Sequence, residues 1–184
     1  MSRRALIPGV LFLFACATTP LAVRTGSAFD LALPVLGTTA TDGHAKSLAL
    51  SSLRGNVVLV DVWASWCEPC VEALPFYDDL QRAYGAKGFR FIGVDVDEDA
   101  RAGRAFLRQH QLDDLTVLRD PGAEVVAPRL GLSRLPTALL LDRTGHVKFV
   151  RQGFEDAERA TLRQEIQTLL SVGDAVPVRA AARR

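Results

Sequence analysis

With 184 residues, 48% of them apolar and 23% charged, the chain is long enough to bury one sizeable core and has the makeup of a folded domain, not of a disordered or fibrous one. Its 22 basic residues nearly cancel 21 acidic ones, for a net charge of +1. No global field marks it for nucleic acid or an acidic polymer, so nucleic-acid binding is not expected.

Ser2-Arg3-Arg4 is a basic head, and Ala5 to Ala17 is an almost unbroken apolar run, the layout of an export signal. The run is shorter than the roughly 20 residues a spanning helix needs. Two processing routes fit it. Gly26-Ser27-Ala28 offers small residues for a cut before Phe29, and Leu13-Phe14-Ala15-Cys16 resembles a bacterial lipobox, making Cys16 a lipidation candidate despite the bulky Phe14. Residues 1–28 are expected to be an export signal or lipoprotein leader plus short linker. The mature protein is expected outside the cytoplasm, in the periplasm, with no membrane contact except through the leader or a lipid on Cys16.

Phe29 to Gly55 alternates short apolar stretches with turn formers, suggesting a hairpin-like lead-in. Asn56 to Trp63 (NVVLVDVW) is a dense β-branched run, predicted as a strand buried on both faces. Glu68 to about Ala86 has helical spacing, with Leu74, Tyr77, Leu80 and Tyr84 on one side, Pro75 inside, and Gly85 and Gly88 closing it. A second core strand is predicted over 89–96. Next come a helix over 97–110 with Ala102, Ala105, Phe106 and His110 inward, a short strand over 116–118 and a short helix over 123–130. Strands over 138–141 and 147–151 are joined by the turn residues Asp142 to His146, and a closing helix over 156–170 carries Leu162, Ile166, Leu169 and Leu170. Strands alternating with helices, then a hairpin and a last helix, predict a three-layer α/β/α sandwich on a mixed sheet spanning residues 29–170. Residues 171–184, rich in Gly, Pro, Ala and Arg, are expected to be a disordered tail.

Cys67 and Cys70 lie in WASWCEPC, residues 63–70, where the buried strand gives way to a helix. Free backbone N–H groups and the helix dipole at that point favour an anion and lower a thiol pKa, which makes Cys67 the nucleophile. Cys70, about one turn along, is placed to resolve a mixed disulfide. Pro69 rigidifies the turn, and Glu68 opposes the thiolate. A structural zinc site needs about two more ligands, and His44, His110 and His146 lie at unrelated spacings. No metal or other cofactor is expected beyond the redox-active pair itself. A structural disulfide closing so short a loop would constrain the unfolded chain little. Two thiolates also suit Cu(I), so a Cu(I)-binding metallochaperone is the rival reading.

WASWCEPC following NVVLVDVW resembles the active site of the thioredoxin superfamily. Together with Pro75, GVDVDE (93–98), the segment from about 99 to 122, LPT (135–137) and LLLDRTGHV (139–147), it is similar to the TlpA/ResA-like extracytoplasmic branch. The resemblance implies a thioredoxin-like fold with an inserted strand-helix segment. It also implies a loop at Leu135-Pro136 that faces the cysteines with a cis proline and binds polypeptide, Trp66 shielding the thiolate, and Asp61 as a buried acid managing the proton of Cys70. The catalytic set is thus Cys67, Cys70 and Asp61, with Trp66, Glu68, Pro69, Leu135 and Pro136 binding substrate. Three positions depart from the branch. Ala73 stands where a Glu is common, with Glu72 one residue early, Asp61 where several relatives carry Asn, and Arg134 where Gly often precedes Leu-Pro. The implied activity is that of a thiol-disulfide oxidoreductase that reduces protein disulfides, with cytochrome c maturation or copper-site assembly as candidate pathways. A membrane electron donor would recycle it, a monomer is expected, and an oxidant of the same chemistry is the alternative direction.

Overall fold

The computed structural model describes residues 23–37 and 46–173. Cys16, the rest of the leader to residue 22, and residues 174–184 of the predicted tail lie outside the described residues.

The lead-in is a short antiparallel pair, β1 (Ala32–Pro34) and β2 (Ser47–Ala49). Strand β3 (Val57–Trp63) follows, and its valines at 57, 58, 60 and 62 suit a pleated surface covered on both sides. Every one of its residues is buried. Helix α1 (Glu68–Tyr84) begins with Cys67 as its N-cap, Glu68 and Pro69 in the first turn, and Pro75 inside. Cys70, Ala73, Leu74, Tyr77, Leu80 and Tyr84 form its buried stripe.

Strand β4 (Phe89–Asp95) runs parallel to β3. Helix α2 (Ala100–Gln109) starts later than the predicted position 97 because Asp99 is the N-cap, its carboxylate accepting the Arg101 N–H at 2.9 Å. Its buried face is Gly103, Phe106 and Leu107, and Ala105, predicted inward, is exposed. The helix is turned so that Gly103 lies against the Asp95 carboxylate. The inserted segment also supplies β5 (Val117–Arg119), parallel to β4.

The helix predicted over 123–130 is divided into a tight turn at Pro121–Ala123 and α3 (Val126–Leu130). Asp120 stands before the turn and links the two parts, its carbonyl accepting the Ala123 N–H and its carboxylate the N–H groups of Val125 and Val126. Strand β6 (Thr137–Leu141) lies antiparallel to β3, and β7 (Val147–Gln152) antiparallel to β6. The main sheet is thus mixed, in the order β5-β4-β3-β6-β7.

Helix α4 (Glu158–Gly173) packs beside α1: the Arg159 and Arg163 guanidiniums lie 5.0 Å from the Phe76 ring centre, and Gln167 donates to the Tyr84 hydroxyl at 2.8 Å. On α2, Phe106 packs against Trp63 with ring centres 5.2 Å apart. The predicted mixed sheet flanked by helices is found.

The chain enters along the β6–β7 turn. Gly26 N–H donates to Val147 O at 2.6 Å, Val147 N–H to Ser27 O at 2.9 Å, and Phe29 N–H to Gly145 O at 3.0 Å. Among the described residues, no helix is long and apolar enough to cross a membrane.

Candidate active site

The two cysteines meet at the end of β3. Cys67 and Cys70 are joined as a disulfide with Cα atoms 5.3 Å apart. Both are buried, Cys70 completely and Cys67 at 5% exposure. The Cys70 N–H donates to Cys67 O at 3.1 Å, closing the first turn of α1 around the pair. Beside them Trp66 stands 71% exposed, a large ring facing solvent next to the disulfide. Trp63 is in the core, as expected. Glu68 and Pro69 are exposed on the first turn of α1 and do not line the neighbouring cleft.

That cleft, of about 480 Å³, runs from Trp66 past Val96 and Glu98 to Ala123, Leu132, Arg134 and Leu135. The Leu135–Pro136 peptide bond is cis, and Pro136 is buried with its carbonyl accepting the Gly153 N–H at 2.7 Å. Thr137 Oγ1 donates to Arg134 O at 2.6 Å, so the loop is pinned on both sides of Leu135. Leu135 itself makes no backbone hydrogen bond to the other described residues. An extended peptide could pair with it by adding a strand-like contact. Glu98 and Arg134 form no ion pair among the described residues and put one charge of each sign on the rim.

Asp61 sits in the middle of β3, in register with Gly93 on one side and Ala138 on the other. It is fully buried, and neither carboxylate oxygen has a hydrogen-bond partner among the described residues. Burial alone pushes its carboxyl well above the ordinary value of 3.8. Asp61 faces α1: burial first, and then the Asp61 charge, push the Tyr77 phenol up. Tyr77 and Cys70 belong to the same buried stripe of that helix, seven residues apart. Glu72 is exposed and Ala73 fully buried, so α1 itself brings no carboxylate to this face near Cys70.

A second group of acids was not singled out in the sequence. Asp97, 3% exposed, accepts hydrogen bonds from the Ser65 N–H and the Ser65 hydroxyl, both at 2.9 Å. Asp95 accepts from the Asp97 N–H at 2.9 Å and from Arg119 Nη1 at 3.1 Å. The signal was Asp95 at the end of a largely apolar strand and Asp97 just beyond it, both in GVDVDE. Their partners, Ser65 and Arg119, lie more than twenty residues away in the chain. Among the described residues no group of three or more His, Cys, Asp or Glu is arranged to hold a metal ion.

The Redoxin family profile matches residues 26–166. A Thiol-disulfide oxidoreductase ResA of Bacillus thuringiensis subsp. konkukian is 34% identical over 107 residues, 58% of this chain and 61% of the relative, so the chain spans less than two thirds of that protein. A Thiol-disulfide oxidoreductase ResA of Bacillus cereus (strain ZK / E33L) is 29% identical over 150 residues, covering 79% of this chain and 86% of the relative. Among solved structures, a Chlorobium tepidum protein assigned as a thiol:disulfide interchange protein DsbE superposes with a TM-score of 0.71 at 33% identity. That match covers 81% of this chain and 99% of the other. The chain belongs to the Redoxin family, has the thioredoxin-like fold of its structural neighbours, and counts the ResA thiol-disulfide oxidoreductases among its homologues.

Proposed function

We propose that the protein is an exported thiol-disulfide oxidoreductase that reduces disulfides in other proteins. The observation that carries this is the disulfide at the start of α1, flanked by an exposed tryptophan and a peptide-sized cleft and lying on the same helix face as the residue that Asp61 faces. In the dithiol form, the Cys67 thiolate attacks one sulfur of a substrate disulfide. A bond from Cys67 Sγ to that sulfur forms, and the other substrate sulfur leaves as a thiolate. Cys70 then passes its thiol proton to Asp61 and attacks Cys67 Sγ, releasing the second substrate thiolate. Two electrons have moved from the cysteine pair to the substrate, and the pair is left as the disulfide seen here. In its carboxylate form Asp61, whose hold on a proton is strengthened by burial, can take the proton of a neighbouring thiol.

Recycling requires two electrons from a donor, for which a membrane dithiol protein is the fitting class. Cytochrome c maturation or copper-site assembly is the downstream process proposed from the resemblance, and the mechanism needs only one copy of the chain. The site of action is the periplasm. Processing at Cys16 is favoured over a cut before Phe29, because the latter would remove Gly26 and Ser27, whose backbone groups bond to Val147.

The test is reduction of insulin disulfides by the pre-reduced protein, with a measured potential for the Cys67/Cys70 couple. Loss of activity in Cys67→Ser, trapping of a mixed disulfide by Cys70→Ser, and a potential at or below about −270 mV are expected. A potential near about −120 mV would overturn the reductant reading in favour of an oxidant. Fatty-acid labelling that requires Cys16 checks the anchor.

A further inference from the structure

The turn that presents Cys67 is held from behind. Ser65, two residues before the cysteine, gives both its N–H and its hydroxyl to the Asp97 carboxylate. Asp97 is itself held by its neighbours: its N–H donates to Asp95 Oδ1, and its carbonyl accepts from Arg119 Nη1 at 2.7 Å. The same Arg119 nitrogen reaches Asp95 Oδ2, while Nη2 donates to Glu98 O at 3.2 Å. Each surrounding element closes the cluster. From β3, the Trp63 carbonyl accepts the Val96 N–H at 3.0 Å. From α2, Gly103 brings backbone alone, because a Cβ there would stand 2.4 Å from Asp95 Oδ2. Among the described residues the charged side chains acting on Asp95 are Asp97 and Arg119, and the Arg119 guanidinium pairs with the Asp95 carboxylate while holding Asp97 by its backbone carbonyl.

We propose that Asp97 is a positioning residue for the attacking cysteine: its two hydrogen bonds to Ser65 fix the turn from which Cys67 reaches a disulfide, and Asp95 with Arg119 holds Asp97 in place. Neither acid takes part in sulfur chemistry. In-line attack needs the thiolate aligned with the S–S axis, and a displacement of about 1 Å at a reacting atom costs on the order of 10²-fold in rate. A turn fixed at Ser65 leaves little slack two residues later.

The cluster also ties this alignment to acidity. Burial pushes the Asp95 carboxyl up to about 6, against hydrogen bonds from the Asp97 N–H and Arg119 that pull it down. Both Asp95 oxygens are already accepting. A proton on Asp95 removes the charge that draws Arg119 and the Asp97 N–H, and the hold on Ser65 slackens.

The inference rests on Cys67 being the attacking thiol, but its test needs no protein substrate. In the full chain carrying Cys70→Ser, the rate of mixed-disulfide formation between Cys67 and glutathione disulfide is followed by mass from about pH 5 to about pH 9 and divided by the thiolate fraction. The rate per thiolate is expected to fall below about pH 6. It should drop about threefold or more at high pH in Ser65→Ala and Asp97→Ala, and Asp97→Asn, which keeps an acceptor for the Ser65 N–H, should recover part of the loss. Ser65→Ala deletes one oxygen atom and decides the matter if Asp97→Ala fails to fold. A folded Ser65→Ala with the parent's rate and pH profile overturns the proposal. Failure of the oxidoreductase reading would appear separately, as an unmodified chain that cannot reduce insulin while this thiol readout stands.

Discussion

Asp61 and Asp97 are carboxylates of the same length, both withdrawn from water, and they differ in their partners. Asp97 accepts two hydrogen bonds from Ser65. Asp61 lies between Gly93 and Ala138 with no donor among the described residues, and its carboxyl is held high. A buried acid with donors stays charged and organises the groups around it. One without them is most stable neutral and is poised to trade a proton. The difference in partners thus separates a chemical acid from a mechanical one.

The sharpest way to break that contrast is at Asp61. Asp61→Asn should slow the release of the mixed disulfide by about 10²-fold or more near neutral pH, while leaving the first attack by Cys67 close to its original rate; stopped-flow kinetics of the two steps reads both. Stability should move the other way. A carboxyl whose native pKa is raised binds its proton more tightly folded than unfolded. Its contribution is therefore fully present below about pH 3.8 and is lost as pH rises through the native pKa. Asp61→Asn should flatten that decline in urea unfolding across a pH series. An unchanged release step would remove Asp61 from the chemistry.

Asp97→Ala should behave in the opposite manner, losing about 3 kcal/mol of stability at neutral pH because two hydrogen bonds to a charged group vanish and Ser65 is left unpaired. A gain in stability there would erase the contrast. Gly103→Ala is expected to cost about 1–3 kcal/mol, since its methyl group would press on Asp95 Oδ2. In combination with Asp95→Ala the costs should fall short of additive. Asp95 has its own pH window: its native value of about 6 against 3.8 makes stability fall as pH rises from about 4 to about 6.

The smallest effect on stability, within about 0.5 kcal/mol, is expected for Arg134→Glu, which lies outside both acid groups and is exposed. Its mark should be a several-fold change in KM for peptide disulfides with acidic flanks, kcat being largely kept.

What the chain revealed on reading followed sequence distance. The buried strand, the cysteine pair at the helix start and the cis Leu-Pro bond are local patterns, and the structure has each of them at residues 57–70 and 135–137. Asp61 was legible as an anomaly, a charge in a run of valines. Asp95 and Asp97 carry a similar anomaly, but their meaning depends on Ser65 and Arg119, brought in by parallel pairing on either side of β4. Hydrophobic periodicity also turned α2 the wrong way at Ala105. The residue that sets the helix's rotation is Gly103, which has no side chain for a periodicity to register. The cleft was out of reach for a related reason: its walls come from Trp66, Glu98, Ala123 and Arg134, four separate stretches of chain.

The path of residues 26–29 along the β6–β7 turn has a consequence for geometry on a surface. Val147 pairs with Leu141, which pairs with Val58 near the start of β3, whereas Cys67 follows the strand's other end. Entry point and reactive sulfur therefore sit at opposite poles, separated by about 20 Å of strand. A molecule held by its amino-terminal end stands like a lamp on a post: its base meets the support, and the sulfur pair faces outward. Partners can then approach from the open side without competing with whatever holds the base.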